Sequence, residues 1–447
     1  MCIRDSPDES PLALRPHPSI VPPPMAHSSL QIQSRPALLD GLSPVEVAAR
    51  LQHLPGMVFF DTAGHPPSGG HPHVSIIAAR PTGELRGLIH HEPDRRQLTA
   101  SLATGRSAAP DRGFPLGGLC GGVDYDGLFH FGVYPEMLVF SHHDGWTSIG
   151  GLAEEMHDAA PSPAPSIGSF RELGSPAAFL AAVERAQEWI AAGDIYQVNI
   201  SRCFEARLGG PGSLFPLYGL LRACSPAPMA AWLSLAGREV LCSSPETFLR
   251  ISGNRIETRP IKGTRPRFSD PDSDRRSAYE LQTSPKEIAE LVMITDLLRN
   301  DIGQVCEFGS IEVAAMLELE QLEQVHHLVS TITGTLRPEV GPVDALAACF
   351  PGGSITGAPK KRAREIIDCL ETVPRGLYCG AIGYLGFDGE SQFNIAIRTM
   401  VREGERLRYH AGAGIVADSV PASEYMETIN KAQGVVKAID KARKGLY

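Results

Sequence analysis

Apolar positions fall into two regimes on either side of a Pro/Ser/Ala-rich run, Ala159-Ala-Pro-Ser-Pro-Ala-Pro-Ser166. Before it, Leu54-Pro-Gly-Met-Val-Phe-Phe60 and Val74-Ser-Ile-Ile-Ala-Ala79 are apolar runs of strand length that end in turn residues. After it the patterns lengthen. Ser175 followed by Pro176 predicts a helix start, Phe179, Val183, Ala186 and Ile190 form one apolar stripe, and Gly193 stops it. Asp194-Ile-Tyr-Gln-Val-Asn-Ile-Ser201 reads as a strand and Glu239-Val-Leu-Cys242 as another, ending at Ser243-Ser-Pro-Glu246. Ser284-Pro-Lys-Glu287 opens a second helix carrying Ile288, Leu291, Val292 and Leu298. Strand-like segments then run from Val325 to Thr335, Tyr378 to Phe387, Phe393 to Val401 and Arg406 to Val416, with Asp388-Gly389 as a hairpin turn. A last helix is expected from Pro421 to the C-terminus. Consecutive strands with hairpins and flanking helices predict an α+β fold with largely antiparallel sheets.

The same patterning divides the chain. Residues 1–36 are rich in Pro, Ser and Arg, lack periodicity and are expected to be a disordered extension without assigned function. Met25 reads as an alternative start. An N-terminal lobe over 37–158, a linker over 159–168 and a main domain over 169–447 follow. Of 447 residues, 43% are hydrophobic and 21% charged, which suits a soluble protein with a large core. A net charge of -10 disfavours nucleic acid as a partner. No apolar run is long enough to span a membrane, and the N-terminus lacks a secretory hydrophobic region. The nine cysteines are scattered, with no Cys-x-x-Cys pair, which argues against a disulfide framework and suits the cytoplasm. His65, His71, His73, His90 and His91 lie in Pro/Gly turns without metal-ligand spacing and read as surface loop residues.

Chemistry concentrates in the second half. In Arg255-Ile-Glu-Thr-Arg-Pro-Ile-Lys-Gly-Thr-Arg-Pro-Arg267, Lys262 sits among Arg259, Arg265 and Arg267. Clustered cations favour a neutral, nucleophilic amine and also attract anions, while the plainer reading is a solvated basic turn. Glu287 and Glu290 share a helix face, and so do Glu424 and Glu427. Four carboxylates meeting in a cleft would call for a hard divalent cation such as magnesium. Alternatively, Ser284 with Glu287 is a capping box, and glutamates favour first helical turns. Phe350-Pro-Gly-Gly-Ser-Ile-Thr-Gly-Ala-Pro-Lys360 is a glycine-rich loop entering a basic helix, where exposed N–H groups would hold an anion. Ala411-Gly-Ala-Gly414 offers a second bare stretch of backbone, and His327 lies mid-strand, where a satisfied core histidine is the default. Gly118-Leu-Cys-Gly-Gly122 fits the pattern around an amidotransferase nucleophile, but the only following element is Tyr134-Pro-Glu136, so Cys120 is read as structural.

Taken together these residues resemble the chorismate-utilising enzymes over roughly Ser175 to Ala438. The motifs Asp194-Ile-Tyr-Gln-Val-Asn, Ser244-Pro-Glu246, Pro260-Ile-Lys-Gly-Thr-Arg-Pro266, Asp296-Leu-Leu-Arg-Asn-Asp301, His326-His-Leu-Val329, Gly357-Ala-Pro-Lys360, Ile397-Arg-Thr399, Ala411-Gly-Ala-Gly414 and Asp418-Ser-Val-Pro421 occur in the family's order. The resemblance implies two large antiparallel sheets in a sandwich with helices outside. It also implies magnesium held by Glu287, Glu290, Glu424 and Glu427, and substrate held by Tyr378, Arg398, Thr356 and the backbone at Gly412 and Gly414. Lys262 would then be the nucleophile, with a depressed pKa, Glu246 the general acid with a raised one, and His327 the residue assisting departure of the C4 hydroxyl.

Lysine at 262 looks like the aminodeoxychorismate synthase branch, whereas anthranilate synthases carry alanine there and form the rival reading. Gln197 stands where isochorismate and salicylate synthases place a lysine that activates water. No glutaminase elements are visible, so ammonia would come from a separate glutamine amidotransferase subunit. A silent chorismate-binding subunit would be expected to have lost a carboxylate, and none is missing. The segment comparable to the Leu-Glu-Ser of tryptophan-regulated relatives is Phe60-Asp-Thr62, which argues against tryptophan feedback.

Overall fold

The computed structural model describes residues 32–64, 73–105, 112–157, 164–322 and 325–446. The first 31 residues, His65, His71 and part of the 159–168 run lie outside the described residues.

Two large antiparallel sheets carry the molecule, as the strand and hairpin patterning predicts. The first runs from edge to edge through Ile32–Ser34, Gly145–Ile149, Met137–Ser141, Val74–Ala78, Val58–Asp61, Met229–Leu235, Arg238–Ser244, Thr399–Glu403, Arg406–Ile415, Gln197–Gly209 and Arg171–Glu172. The second runs through Ile261–Pro266, Val325–Thr335, Arg255–Arg259, Thr247–Ser252, Ser391–Ile395, Ala381–Gly386, Gly118–Val123, Leu128–Tyr134 and Gly83–Leu88. Strands from before and after the Pro/Ser run interleave in both. Val58–Asp61 pairs with Met229–Leu235, and Gly118–Val123 pairs with Ala381–Gly386.

The apolar stripes read from the sequence face where the pairing requires. Val58, Ile76, Cys120, Val139, Leu233, Val240, Ile382 and Tyr384 form a buried cluster drawn from both sheets. Cys120 is wholly buried there, and burial pushes its thiol well above the usual range, so it is a packing residue. The helix Pro176–Ala191 starts where expected, with the Ser175 hydroxyl accepting from the Ala178 N–H at 3.1 Å, and it buries Phe179, Val183 and Ala186. The helices Pro44–Leu51, Phe215–Cys224 and Pro421–Arg443 contribute to a second cluster against the first sheet.

One expectation is corrected. Phe393 to Val401 is not one strand. Ser391–Ile395 belongs to the second sheet and Thr399–Glu403 to the first, and the chain crosses between them at Ala396–Arg398. The residue pattern concealed the change because both halves are strand-like and largely buried.

The N-terminal strands are pinned by charge as well as by pairing. Asp61, 3% exposed at the end of its strand, accepts from Arg222 Nε at 2.6 Å and from the Tyr218 hydroxyl at 3.0 Å. Asp61→Ala would strand both donors, one of them buried. The expected loss is about 2–4 kcal/mol, at the lower end for a broken buried pair because Arg222 retains contact with water. A shift of the urea unfolding midpoint measures it, and an unchanged midpoint would remove this pin from the account.

Candidate active site

The site forms where two chain segments change sheets side by side. Arg238–Ser244 of the first sheet continues through Pro245-Glu246 into Thr247–Ser252 of the second, and the Ser391–Ile395 crossing passes beside it. The crossings are tied by Ile395 N–H to the Glu246 carbonyl at 3.1 Å and Ser243 N–H to the Arg398 carbonyl at 3.2 Å. A backbone that leaves one sheet for another must turn its side chains out of the ladder, and here Glu246 and Arg398 are turned inward. Arg398 holds a φ of +51°, a left-handed conformation uncommon for a residue with a side chain.

Glu246 is 5% exposed. Loss of water raises its pKa, against a hydrogen bond from Ser354 and the charges of Lys262, Lys431 and Arg398. The raised value expected of a proton-holding carboxyl is therefore present, with desolvation as its main cause. Burial lowers the pKa of Arg398, and Glu246 opposes that shift. The Arg398 guanidinium makes no protein hydrogen bond or ion pair among the described residues, which leaves its donors for an anionic ligand.

Lys262 lies on Ile261–Pro266, opposite Leu328, and a bulge at Gly263 shifts the register so that Thr264 faces His327. Gly263 has a φ of +73°, and a methyl there would stand 2.6 Å from Leu281 Cδ1 and 3.1 Å from Glu287 Oε2. Only glycine lets the strand kink against the Glu287 carboxylate. The Lys262 amine donates to the Ser354 carbonyl at 3.3 Å, and its charge acts on Glu246, Glu290 and Glu427.

The expected arginine surroundings are corrected. Arg259 is bound to Glu320 and Thr331, Arg267 pairs with Asp274 at 3.1 Å, and Arg265 turns to the Thr264 carbonyl. Strand alternation and local carboxylates draw these guanidiniums away, and carboxylates face the lysine instead.

His327 is buried against Thr264 Oγ1 at 3.0 Å and the Gly263 carbonyl at 3.4 Å, both through Nδ1. Burial and the Arg398 charge push its pKa down to about 3. The ring is neutral, the carbonyl assigns the proton to Nδ1, and buried Nε2 is left without a partner. The default of a satisfied core histidine fits one nitrogen and fails for the other.

Across from these groups runs Arg406–Ile415. A methyl on Gly414 would lie 2.4 Å from Gln197 Nε2 and 3.9 Å from Lys262 Nζ, and one on Gly412 would lie 2.8 Å from the Tyr378 hydroxyl. The bare backbone thus forms a wall shared by Gln197, Lys262 and Tyr378. Gln197 Oε1 is a second buried acceptor with no partner. Thr356 ends the short turn Gly353–Ile355 of the glycine-rich loop and is wholly buried. Its hydroxyl turns back to the Gly352 and Gly353 carbonyls at 3.0 and 3.2 Å, bracing the glycine-rich loop. Nor is the Lys360 amine free for an anion, because it is committed to Asp301 at 2.6 Å and the Cys349 carbonyl at 2.9 Å. Ser354, on the same loop, is the residue that reaches Glu246 and Lys262. Nothing in its Gly-Gly-Ser-Ile context signals this.

The four carboxylates meet electrostatically at Lys286, whose charge acts on Glu287, Glu290, Glu424 and Glu427. Ser284 caps Glu287 N–H at 3.4 Å, but the Glu287 carboxylate is not returned to Ser284, so half of the capping box is absent and the side chain is available. Burial raises Glu290 and Glu424, while Lys431 holds Glu427 down, reaching its Oε1 at 2.6 Å. Glu424 accepts from Ser419 Oγ at 2.7 Å through one oxygen, and its other oxygen is buried without a partner. As the side chains stand, no three acidic, histidine or cysteine groups among the described residues form a ligating set. The donor chemistry nevertheless fits a hard divalent cation: four carboxylates, one orphaned oxygen, and lysines standing in as counter-charge. Glu287, Glu290, Glu424 and Glu427 are the residues that would hold it. Lys286 and Lys431 were missed in the sequence; for Lys286 the available signal was a lysine in the first turn of a helix, which works against the helix dipole, and for Lys431, mid-helix, there was none beyond its i,i+4 spacing from Glu427.

The chain as a whole has known relatives. Residues 124–437 match the model of the chorismate binding enzyme family. The chain is 40% identical over 363 residues to anthranilate synthase component 1 of Methanothermobacter thermautotrophicus, covering 76% of this chain and 78% of that one. It is 37% identical over 459 residues to the protein of the same name from Streptomyces coelicolor, covering 90% and 88%. Among solved structures, anthranilate synthase component I of Streptococcus pneumoniae superimposes with a TM-score of 0.71 at 31% identity over 88% of this chain and 97% of that one. The menaquinone-specific isochorismate synthase of Escherichia coli shares the fold, with a TM-score of 0.75 at 18% identity over 92% and 94%. The protein belongs to the chorismate binding enzyme family and is a chorismate-utilising enzyme. Among the described residues, no helix is long and apolar enough to cross a membrane.

The raised pKa of Glu246 has a consequence for stability. A carboxyl protonated more readily in the folded state stabilises the fold fully below its unfolded pKa, and that stabilisation is lost as pH rises through the folded value. Glu246→Gln keeps the shape without the buried charge. It is expected to melt higher than wild type at pH 8, with the gap closing toward pH 4, and to lose about 10²–10⁴-fold in turnover. Thermal scans across pH and a chorismate consumption assay check both. A variant that melts lower at pH 8 would remove the desolvation argument.

Proposed function

We propose that the protein aminates chorismate at C4 to give 4-amino-4-deoxychorismate, as the large subunit of an aminodeoxychorismate synthase serving p-aminobenzoate and folate synthesis. The observation that carries this reading is Lys262, whose amine lies beside Glu246 and the Gly414 wall, inside the site rather than at its rim. Ammonia would be delivered by a separate glutamine amidotransferase subunit.

Each group has a task that its surroundings support. Arg398, with open donors, binds a substrate carboxylate together with the Tyr378 hydroxyl and the backbone at Gly412 and Gly414. A magnesium ion, held by Glu287, Glu290, Glu424 and Glu427, would supply charge neutralisation for the other carboxylate. Lys262 forms a bond to C2 while the C4–O bond breaks, and Glu246 gives its proton so that the hydroxyl leaves as water. His327, neutral with a bare Nε2, accepts the hydrogen of the C4 hydroxyl and so aims it, rather than acting as an acid. Ammonia then bonds to C4 as the C2–N bond breaks, and the electron pair returns to Lys262. Gln197 offers an amide instead of a base that would activate water, in keeping with ammonia as the incoming group.

A second reading, anthranilate synthase component I, is favoured by the names of the relatives, and those names weigh on its side. In that reading amination occurs at C2, pyruvate is expelled, and Lys262 is a bystander.

Product analysis from chorismate, magnesium and ammonium separates them. Wild type is expected to yield aminodeoxychorismate, and Lys262→Ala to lose it by about a hundredfold or more, or to drift to anthranilate. Anthranilate and pyruvate from both proteins would overturn the covalent scheme and establish the second reading.

A further inference from the structure

Lys286 occupies the first turn of the helix Pro285–Gly303, where the exposed N–H groups disfavour a cation. Nothing about helix formation calls for lysine there. Its Nζ lies 3.7 Å from Glu424 Oε1 and 4.0 Å from Glu290 Oε1, and its charge acts on Glu287 and Glu427 as well. These separations give attraction without a hydrogen bond, and the side chain is 51% exposed. The ammonium therefore hovers over the carboxylates on a stem free to swing into water.

A second amine at the cluster is differently held. Lys431 is 2.6 Å from Glu427 Oε1 and donates to the Gly412 carbonyl at 3.2 Å, which fixes it between the helix Pro421–Arg443 and the glycine wall. Glu424 Oε2, on a residue only 2% exposed, has no hydrogen-bond partner among the described residues. The cluster thus has a fixed counter-charge in Lys431, a loose one in Lys286, the nearby charge of Lys262 and one unused buried acceptor.

We infer that Lys286 is the resident counter-ion of the four-carboxylate cluster and competes with a divalent cation for it, so that ion entry is an exchange in which the ammonium leaves for solvent. This rests on the reading that the four carboxylates hold such an ion. Without Lys286 the ion-free cluster keeps only the charges of Lys431 and Lys262 against its own repulsion, and an entering ion meets one competitor fewer. Lys286 thereby stabilises the ion-free protein and sets how readily the site loads.

Titration calorimetry of the full chain with magnesium chloride at fixed ionic strength, paired with thermal scans in a chelator, tests the exchange without turnover. Lys286→Met is expected to bind magnesium about three- to tenfold more tightly than wild type. It should also melt several degrees lower in chelator and gain more on adding the ion. Lys286→Arg, which keeps the charge, should stay near wild type on both counts. Magnesium binding to Lys286→Met that equals or falls below wild type would overturn the competition. Wild type that gives no magnesium heat would overturn the ion site itself, a failure visible before any variant is made. If Lys286→Met is insoluble, Lys286→Gln gives the same comparison with the same deciding outcomes.

Discussion

A buried carboxyl and a buried guanidinium face each other at the seam where two chain segments change sheets, and much of the site follows from holding both there. Glu246 and Arg398 each lose water, and each is the other's partial compensation. They do not neutralise each other by direct contact. Had they closed into a tight ion pair, Glu246 would have a lowered pKa and Arg398 no open donors. The paired backbone bonds between the crossings keep the two groups near but apart. This separation lets one hold a proton and the other bind an anion.

The rest of the site divides by charge. At one end the guanidinium, the Tyr378 hydroxyl and the bare glycine wall suit a carboxylate. At the other, four glutamates require positive charge, and lysines provide some of it. A substrate with two carboxylates matches this only if a cation joins the acidic end, which is the electrostatic reason to expect an ion there. Lys262 lies between the two ends, within the field of both.

Much of this was legible in the sequence where local rules and tertiary demands coincide. The helix after Ser175, the turn at Asp388-Gly389 and the antiparallel sheets needed only capping, turn chemistry and alternation. The two glutamate pairs were legible as shared helix faces, but their meeting was not, because no local rule brings residues 287 and 424 together. The break at Ala396–Arg398 was hidden, since both flanking segments have strand-like composition and no Gly or Pro marks the crossing. The arginines around Lys262 misled for the opposite reason. Neighbours along a strand point to opposite faces, and Glu320 and Asp274, distant or looping back, draw two of them away.

The interleaving of the sheets bears on how the chain acquires its shape. Val58–Asp61 and Gly118–Val123 emerge early in synthesis, yet each pairs with a strand made much later, the second with one some 260 residues downstream. Loop-closure entropy makes such pairings slow, and unpaired strand edges invite the wrong neighbour meanwhile. The N-terminal third therefore has no finished sheet to join until the C-terminal strands exist. Glu246, between a strand of one sheet and a strand of the other, reaches its final surroundings only when nearly the whole chain has been made.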